Sequence, residues 1–234
     1  MAGWPRSPEE LERVQTRLAA ARTDPWRLVE GAAFGGVFAA SSTAGRAPER
    51  LWTAAALGGS TAVVRGRPAA PYEAGYLALR EGEWLEKAVR ALRSVPDVVL
   101  VNATGRDHPR GAGLALHLGA VLELPTVGVT DRPLVASADV EGRLVLDDVL
   151  VGFAVPTRRG ARPVWAHAAW RTDPQTARRV VSAASGRVRT PEPLRLARFV
   201  ARSARAIDEG TAPPGWVPRP PAPEPGRPRG LGLP

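Results

Sequence analysis

The sequence predicts an α/β protein built on one mixed sheet, an antiparallel meander followed by parallel strands, flanked by helices. Three observations predict it. Apolar runs at 28–40, 51–57 and 61–67 follow one another closely, and a Gly-Gly pair joins the last two, as in antiparallel neighbours. Residues 96–129 then read strand, polar loop, helix, strand, a unit whose two strands lie parallel. Finally, runs at 149–155 and 163–169 flank an Arg158-Arg159-Gly160 turn and read as one more strand pair.

In chain order, Ser7-Pro8-Glu9-Glu10 is a helix start, with a capping hydroxyl, a proline at the first helical position and an acid three residues after the cap. Leu11, Val14, Leu18 and Ala19 continue it to about Arg22, and Asp24-Pro25 breaks it. LVEGAAFGGVFAA (28–40) is the first strand, softened by glycines. Residues 76–93 form a helix with Leu77, Leu85, Val89 and Leu92 inward. Val98 to Val101 are continuously apolar and, Leu100 apart, β-branched, which marks a buried strand. From Gly111 a small-residue helix carries Leu114, Leu118, Val121 and Leu122 on one face, until Pro125 stops it and Thr126 to Val129 form the next strand. Pro174 to Ala184 and Pro191 to Arg205 are the last helices. A globular domain over 1–208 is therefore expected. Residues 209–234, with Pro and Gly at nearly every other position, bury too little to fold and are expected to be a disordered tail.

Composition narrows the partners. The chain has 234 residues, no cysteine, a formal net charge of +9 and a pI near 11.3. Disulfides and thiolate metal sites are excluded, and a cytoplasmic location is expected. No apolar run reaches membrane-spanning length. Lys87 is the only lysine, so the positive charge is almost all arginine, whose planar fork suits phosphate. Nucleic acid is the partner this charge favours. In open sheets ligands sit beyond the carboxyl ends of the strands, which places Asn102, the 106–110 loop, Thr130 and Asp131 at one mouth.

The block VPDVVLVNATGRDHPRGAGLALHLGAVLELPTVGVT resembles the central block of the endonuclease V family, PD-hydrophobic-VDGxGxxHPRxxGxAxHxG followed by PTIGVAK. PYEAGYLALRE (71–81) resembles the family's PYIPGFLxFRE, and GRVRTPEPLRLA (186–197) its Arg-Leu-Pro-Glu-Pro segment. The resemblance spans roughly 8–205. It implies a ribonuclease H-like fold and phosphodiester hydrolysis with Mg²⁺, held by carboxylates that stabilise attacking and leaving oxygens.

Residue by residue, the resemblance implies a degenerate catalytic set. Glu81 retains the glutamate of the FRE motif. Ala33 falls on the first-strand Asp, Asn102 on the central Asp and Asp131 on the lysine after the PTIGVA strand. Counting back from Pro191 without gaps, Trp170 falls on the late His and Gln175 on the late Asp. A carboxylate about 4 Å from a charge is worth on the order of 4 kcal/mol at an effective dielectric near 20, so losing one ligand weakens Mg²⁺ binding by roughly three orders of magnitude. No resident cofactor is therefore expected, and Mg²⁺ only if the site has been rebuilt. Glu30 and Asp97 are offset by odd numbers from Ala33 and Asn102, which turns them to the other face. Asp107 and Asp131, with Glu81, are the rebuilt alternative; otherwise Asp131 pairs with Arg106, Arg110 or Arg132.

The binding features match better. Tyr72 follows Pro71 where the family carries a wedge that opens the duplex at a deaminated base, although Glu73-Ala74 replaces Ile-Pro. Gly75, Gly105 and Gly113 match glycines that leave room for an extruded base, or they serve turns and packing. His108-Pro109-Arg110 matches, with Arg110 a phosphate contact ahead of a helix start. His117 is expected as a packed structural histidine, and Trp170 as a base-stacking or cavity-filling ring. Three readings follow: a non-cutting nucleic-acid binder for deaminated strands, a nuclease with a rearranged carboxylate set, and a protein-interaction module retaining only the fold.

Overall fold

In the computed structural model, which describes residues 4–43, 45 and 47–219, nine strands form one mixed sheet. The chain runs α1 (Pro8–Ala20), β1 (Phe34–Ser41), β2 (Leu51–Leu57), β3 (Ser60–Gly66), α2 (Leu77–Arg90), β4 (Val98–Val101), α3 (Leu114–Leu122) and β5 (Thr126–Thr130). It continues through β6 (Ser137–Ala138), β7 (Arg143–Leu146), β8 (Val149–Val155), β9 (Val164–Ala168), α4 (Pro174–Ala183) and α5 (Glu192–Asp208). The strand order is β3-β2-β1-β4-β5-β9-β8-β7-β6. β1, β2 and β3 are an antiparallel meander, while β4 runs parallel to both β1 and β5. The expected mixed sheet is the one observed.

Local chemistry sets the boundaries. The Ser7 hydroxyl accepts the Glu10 N–H at 3.3 Å to start α1, and the Asp173 carboxylate accepts the Thr176 N–H at 2.6 Å to start α4, each ahead of a proline that needs no partner. One face of the sheet is covered by α1, α2 and α3 through Leu11, Leu85, Val99, Leu114 and Leu118. The other is covered by α4 and α5, with Val98, Leu100, Val127, Val180 and Leu194 between. The alternation along β4 explains this: Val98 and Leu100 point to one side, Val99 and Val101 to the other, and all four are buried.

Two expectations need correction, and two short strands are additional. The first strand begins at Phe34, not at 28, because Gly31 at φ +77° and an Ala32 N–H donating to Val29 O make a turn first. The helix after the central loop begins at Leu114, not Gly111, because Gly111 sits at φ +65° and Gly113 is its cap. β6 and β7 went unanticipated, since strands of two and four residues carry too little pattern to register. Residues 209–219 form an exposed, turn-rich run after α5; the remainder of the expected tail, 220–234, lies outside the described residues. Among the described residues, no helix is long and apolar enough to cross a membrane.

α5 lies directly on β1. A Cβ on Gly36 would collide with the Pro193 carbonyl carbon and the Leu194 nitrogen, both backbone atoms that cannot swing aside. Gly36→Ala is therefore expected to destabilise the protein by about 1–3 kcal/mol, the usual range for overpacking. A fall in the urea midpoint at unchanged m-value will show it.

Candidate nucleic-acid interface at the strand ends

The parallel strands fix which residues share the mouth. Val37 pairs with Val101 and Val101 with Gly128, so the β1 residue level with Asn102 is Phe38, and Asp131 follows the end of β5. Ala33 is not there. It precedes β1 at the opposite end of the sheet, where the Asp97 carboxylate accepts its N–H at 2.7 Å and the Asp97 N–H donates to its carbonyl at 3.0 Å. The five-residue displacement follows from the later start of β1.

Phe38 is 8% exposed and lies beneath two arginines of α5. The Arg198 and Arg202 guanidinium carbons stand 5.3 and 5.8 Å from its ring centroid, within cation–π range. Their spacing of four residues puts both on one helix face, beside the buried Ala197 and Ala201. Burial lowers the Arg198 pKa, as do Arg202 and Arg189, while Asp131 pulls it back up. The Arg198 Nε is buried without a hydrogen-bond acceptor. Asp131 is 64% exposed at its side chain and ion-paired with Arg189, not with Arg106, Arg110 or Arg132. Arg189 also donates from Nε to Arg162 O at 2.8 Å and from Nη2 to Pro163 O at 2.9 Å. Arg189 thus pairs with this carboxylate while Arg198 lies within its field.

Glu81 stands on α2, mostly buried, 4.0 Å from the Arg80 Nε. Burial raises its pKa to about 7 against the pull of Arg80, with Glu49 adding to the rise. Arg80 itself ion-pairs with Glu49 and donates to the Ser41 hydroxyl at 3.0 Å, which ties α2 to the mouth end of β1. Asp107, expected as a ligand in a rebuilt site, is wholly enclosed instead. Its oxygens accept the N–H groups of Leu134, Val135 and Ala136 at 2.7, 2.9 and 2.8 Å, and His167 Nδ1 lies 3.5 Å away. Those three backbone donors make it the anchor of the loop after β5. Among the described residues no group of three or more His, Asp or Glu side chains is placed to hold a metal.

Trp170 and Gln175 are also displaced from the mouth. β9 runs antiparallel to β5, so the chain leaving it returns to the start of β5, where Trp170 O accepts the Thr126 N–H at 3.0 Å. There the Trp170 side chain packs over Gly119, and Gln175 is exposed in the first turn of α4. Antiparallel return, invisible to an ungapped count, is the reason.

The HPR segment forms a hub with α1. Arg110 donates from Nε to Gln15 Oε1 at 2.6 Å and from Nη2 to Gly75 O at 3.0 Å, stacks 4.6 Å above the Tyr76 ring and faces Glu12 at 3.5 Å. His108 Nδ1 accepts the Arg110 N–H and Nε2 faces Gly75 O at 3.1 Å, so the ring is neutral with its proton on Nε2. Arg110 is thus engaged within the protein, not at a helix start. Gly75 is at φ +84°, a turn, whereas a Cβ on Gly105 would strike Ala168 O and one on Gly113 would strike Thr104 O. Tyr72, by contrast, is 72% exposed on the loop before α2. His117 is 4% exposed, stacked on Trp4 with centroids 4.4 Å apart.

Sequence reading missed Phe38, Arg198, Arg202 and Arg189. The i,i+4 arginine pair was the available signal, and only the seating of α5 on β1 reveals what it covers.

Fold and strand-end site together define a ribonuclease H-like protein whose mouth is lined by arginine. Within that class the chain belongs to the endonuclease V family, whose model matches residues 18–199. Endonuclease V of Roseiflexus castenholzii is 38% identical over 151 residues, 62% of this chain and 68% of that one. The Streptomyces avermitilis endonuclease V structure superimposes with a TM-score of 0.78 at 31% identity, covering 91% of this chain and 98% of its own. The Ciona intestinalis endonuclease V, crystallised with inosine-containing DNA, shares the fold at a TM-score of 0.73 and 18% identity, covering 86% and 99%.

The titrating groups give a pH signature. Burial lowers His108 and His117 to about 4, below the ordinary 6.5, so the unfolded chain binds up to two more protons between those values and stability falls as pH falls. Glu81 acts oppositely: raised from 4.5 to about 7, it binds a proton in the folded state that the unfolded state lacks. His167 is also lowered by burial, but Asp107 at 3.5 Å opposes this and receives the charge when it comes. The thermal midpoint should drop from pH 6.5 to 4.5, and drop more steeply in Glu81→Gln, which removes the opposing group. Calorimetry at stepped pH checks both.

Proposed function

We propose that this endonuclease V family member binds a nucleic-acid strand at the strand-end mouth without hydrolysing it. The observation that carries the reading is the pair Arg198 and Arg202 over Phe38, level with Asn102. Mg²⁺ needs hard, anionic oxygens. The strand ends present a neutral amide at Asn102, a ring at Phe38 and a carboxylate at Asp131 already paired with Arg189. Glu81 on α2 is a further acid, but burial raises its pKa to about 7, so this set does not fit the ion and no step is derived through it. Guanidinium groups attract the same phosphate oxygens that a metal would, but they activate no water.

The net charge of +9 supports a phosphodiester partner. Exposed Tyr72 supports an unstacked strand, for which deaminated, inosine-containing DNA or RNA is the first substrate class to try. A cytoplasmic location belongs to the same proposal. A protein-interaction module would bind partners without the steep salt dependence of phosphate contacts.

Purified protein should leave a deoxyinosine duplex and single strand intact with Mg²⁺ or Mn²⁺, indistinguishable from Glu81→Ala. It should still bind single strands with a salt slope that Arg198→Gln/Arg202→Gln reduces by about 1.4, or 0.7 per phosphate contact. Metal-dependent nicking lost in Glu81→Ala would overturn the reading in favour of a rearranged nuclease.

A further inference from the structure

A second basic feature lies at the outer edge of the sheet, separate from the arginines of α5 over Phe38. Ser41 pairs with Leu51 and Leu51 with Gly66, so the start of β2 and the end of β3 lie at the mouth end of the sheet. A cleft of about 490 Å³ opens there, within the roughly 300–1,000 Å³ of small-ligand sites. Its floor is apolar. Trp84 packs onto Gly66, where a Cβ would collide with the indole, and its Nε1 donates to Arg67 O at 2.8 Å. Beside it, the buried Trp52 donates from Nε1 to Asp208 Oδ2 at 2.7 Å.

The rim is cationic. Arg65 binds Asp208 through Nε at 2.6 Å and Nη2 at 3.2 Å, which neutralises the cleft's one acid. Arg50 and Arg67 remain as two further exposed arginines lining the same space. Gly66 and Lys87, whose Nζ stands 4.3 Å from the ring centroid, already lie against the Trp84 ring, so a nucleotide fits here with its base in van der Waals contact with the apolar lining and its phosphate at the arginine rim. In strand order β3-β2-β1-β4, this edge lies three spacings of about 4.8 Å across the sheet and three residues of about 3.3 Å along it from Asn102, roughly 17 Å in all, which is a few nucleotides of single strand.

We propose that the Arg50–Arg67–Trp84 cleft is a second nucleic-acid subsite, holding a nucleotide of the single strand a few positions from the mouth. It rests on the nucleic-acid reading above and extends its footprint across the meander.

The test is fluorescence anisotropy with a single strand of about twelve nucleotides, titrated across salt concentrations. Wild-type protein should show salt-dependent binding, and Arg50→Gln/Arg67→Gln should lower the slope by about 1.4. Arg93→Gln/Arg171→Gln, exposed arginines at the other end of the sheet, should leave it unchanged. An unchanged slope in Arg50→Gln/Arg67→Gln, while wild type binds, overturns the subsite alone. An equal fall in the Arg93/Arg171 control also overturns it, because the effect is then general charge. Salt-independent or absent binding by wild type overturns the parent reading together with the subsite. Polyglutamate competing as well as an oligonucleotide of equal charge would make the cleft an acidic-peptide site and overturn the proposal.

Discussion

The close seating of α5 on β1 is the contact on which the rest of this molecule depends. Helices usually stand off a sheet by the thickness of their side chains, but Gly36 offers none, and the backbone at Pro193 and Leu194 fills the vacated space. From that seat α5 buries Leu194, Ala197 and Ala201 against the sheet and carries Arg198 and Arg202 to Phe38. The absence of one Cβ at Gly36 therefore governs where two positive charges meet the strand ends. The chemistry of the mouth is set by packing well below it.

Charge at that place takes an unusual form. A cation held over a ring and partly withdrawn from water keeps more of its field than one on an open surface. Asp131, the carboxylate that partly offsets Arg198, is ion-paired with Arg189, which is itself fixed by two backbone carbonyls beside β9. Asp107, the other acid of the region, is taken up by three backbone N–H groups. Both of these acids thus have a structural occupation, and beside Phe38 the unbalanced sign is positive.

Much of the fold was legible in the chain. The βαβ block announced itself through β-branched runs, a polar loop and Pro125, and the meander through its turns. Position within a strand was harder. GAAFGGVFAA contains little but small residues around two phenylalanines, so nothing local distinguishes the residue level with Asn102 from one five places earlier. That ambiguity put Ala33 where Phe38 belongs. Trp170 failed for a topological reason, since an ungapped count carries no information about the direction in which β9 returns. The Asp131–Arg189 pair spans 58 residues and is set by tertiary proximity alone.

The hub formed by Gln15, Gly75, His108 and Arg110 has a bearing on how any strand is met. Hydrogen bonds from the first helix already brace the loops on either side of Tyr72 and Asn102. A surface fixed in this way has little freedom left to surrender on association, so affinity is not eroded by ordering the protein. Under the binding reading proposed above, the same stiffness would make the mouth a template, to whose shape a strand must conform.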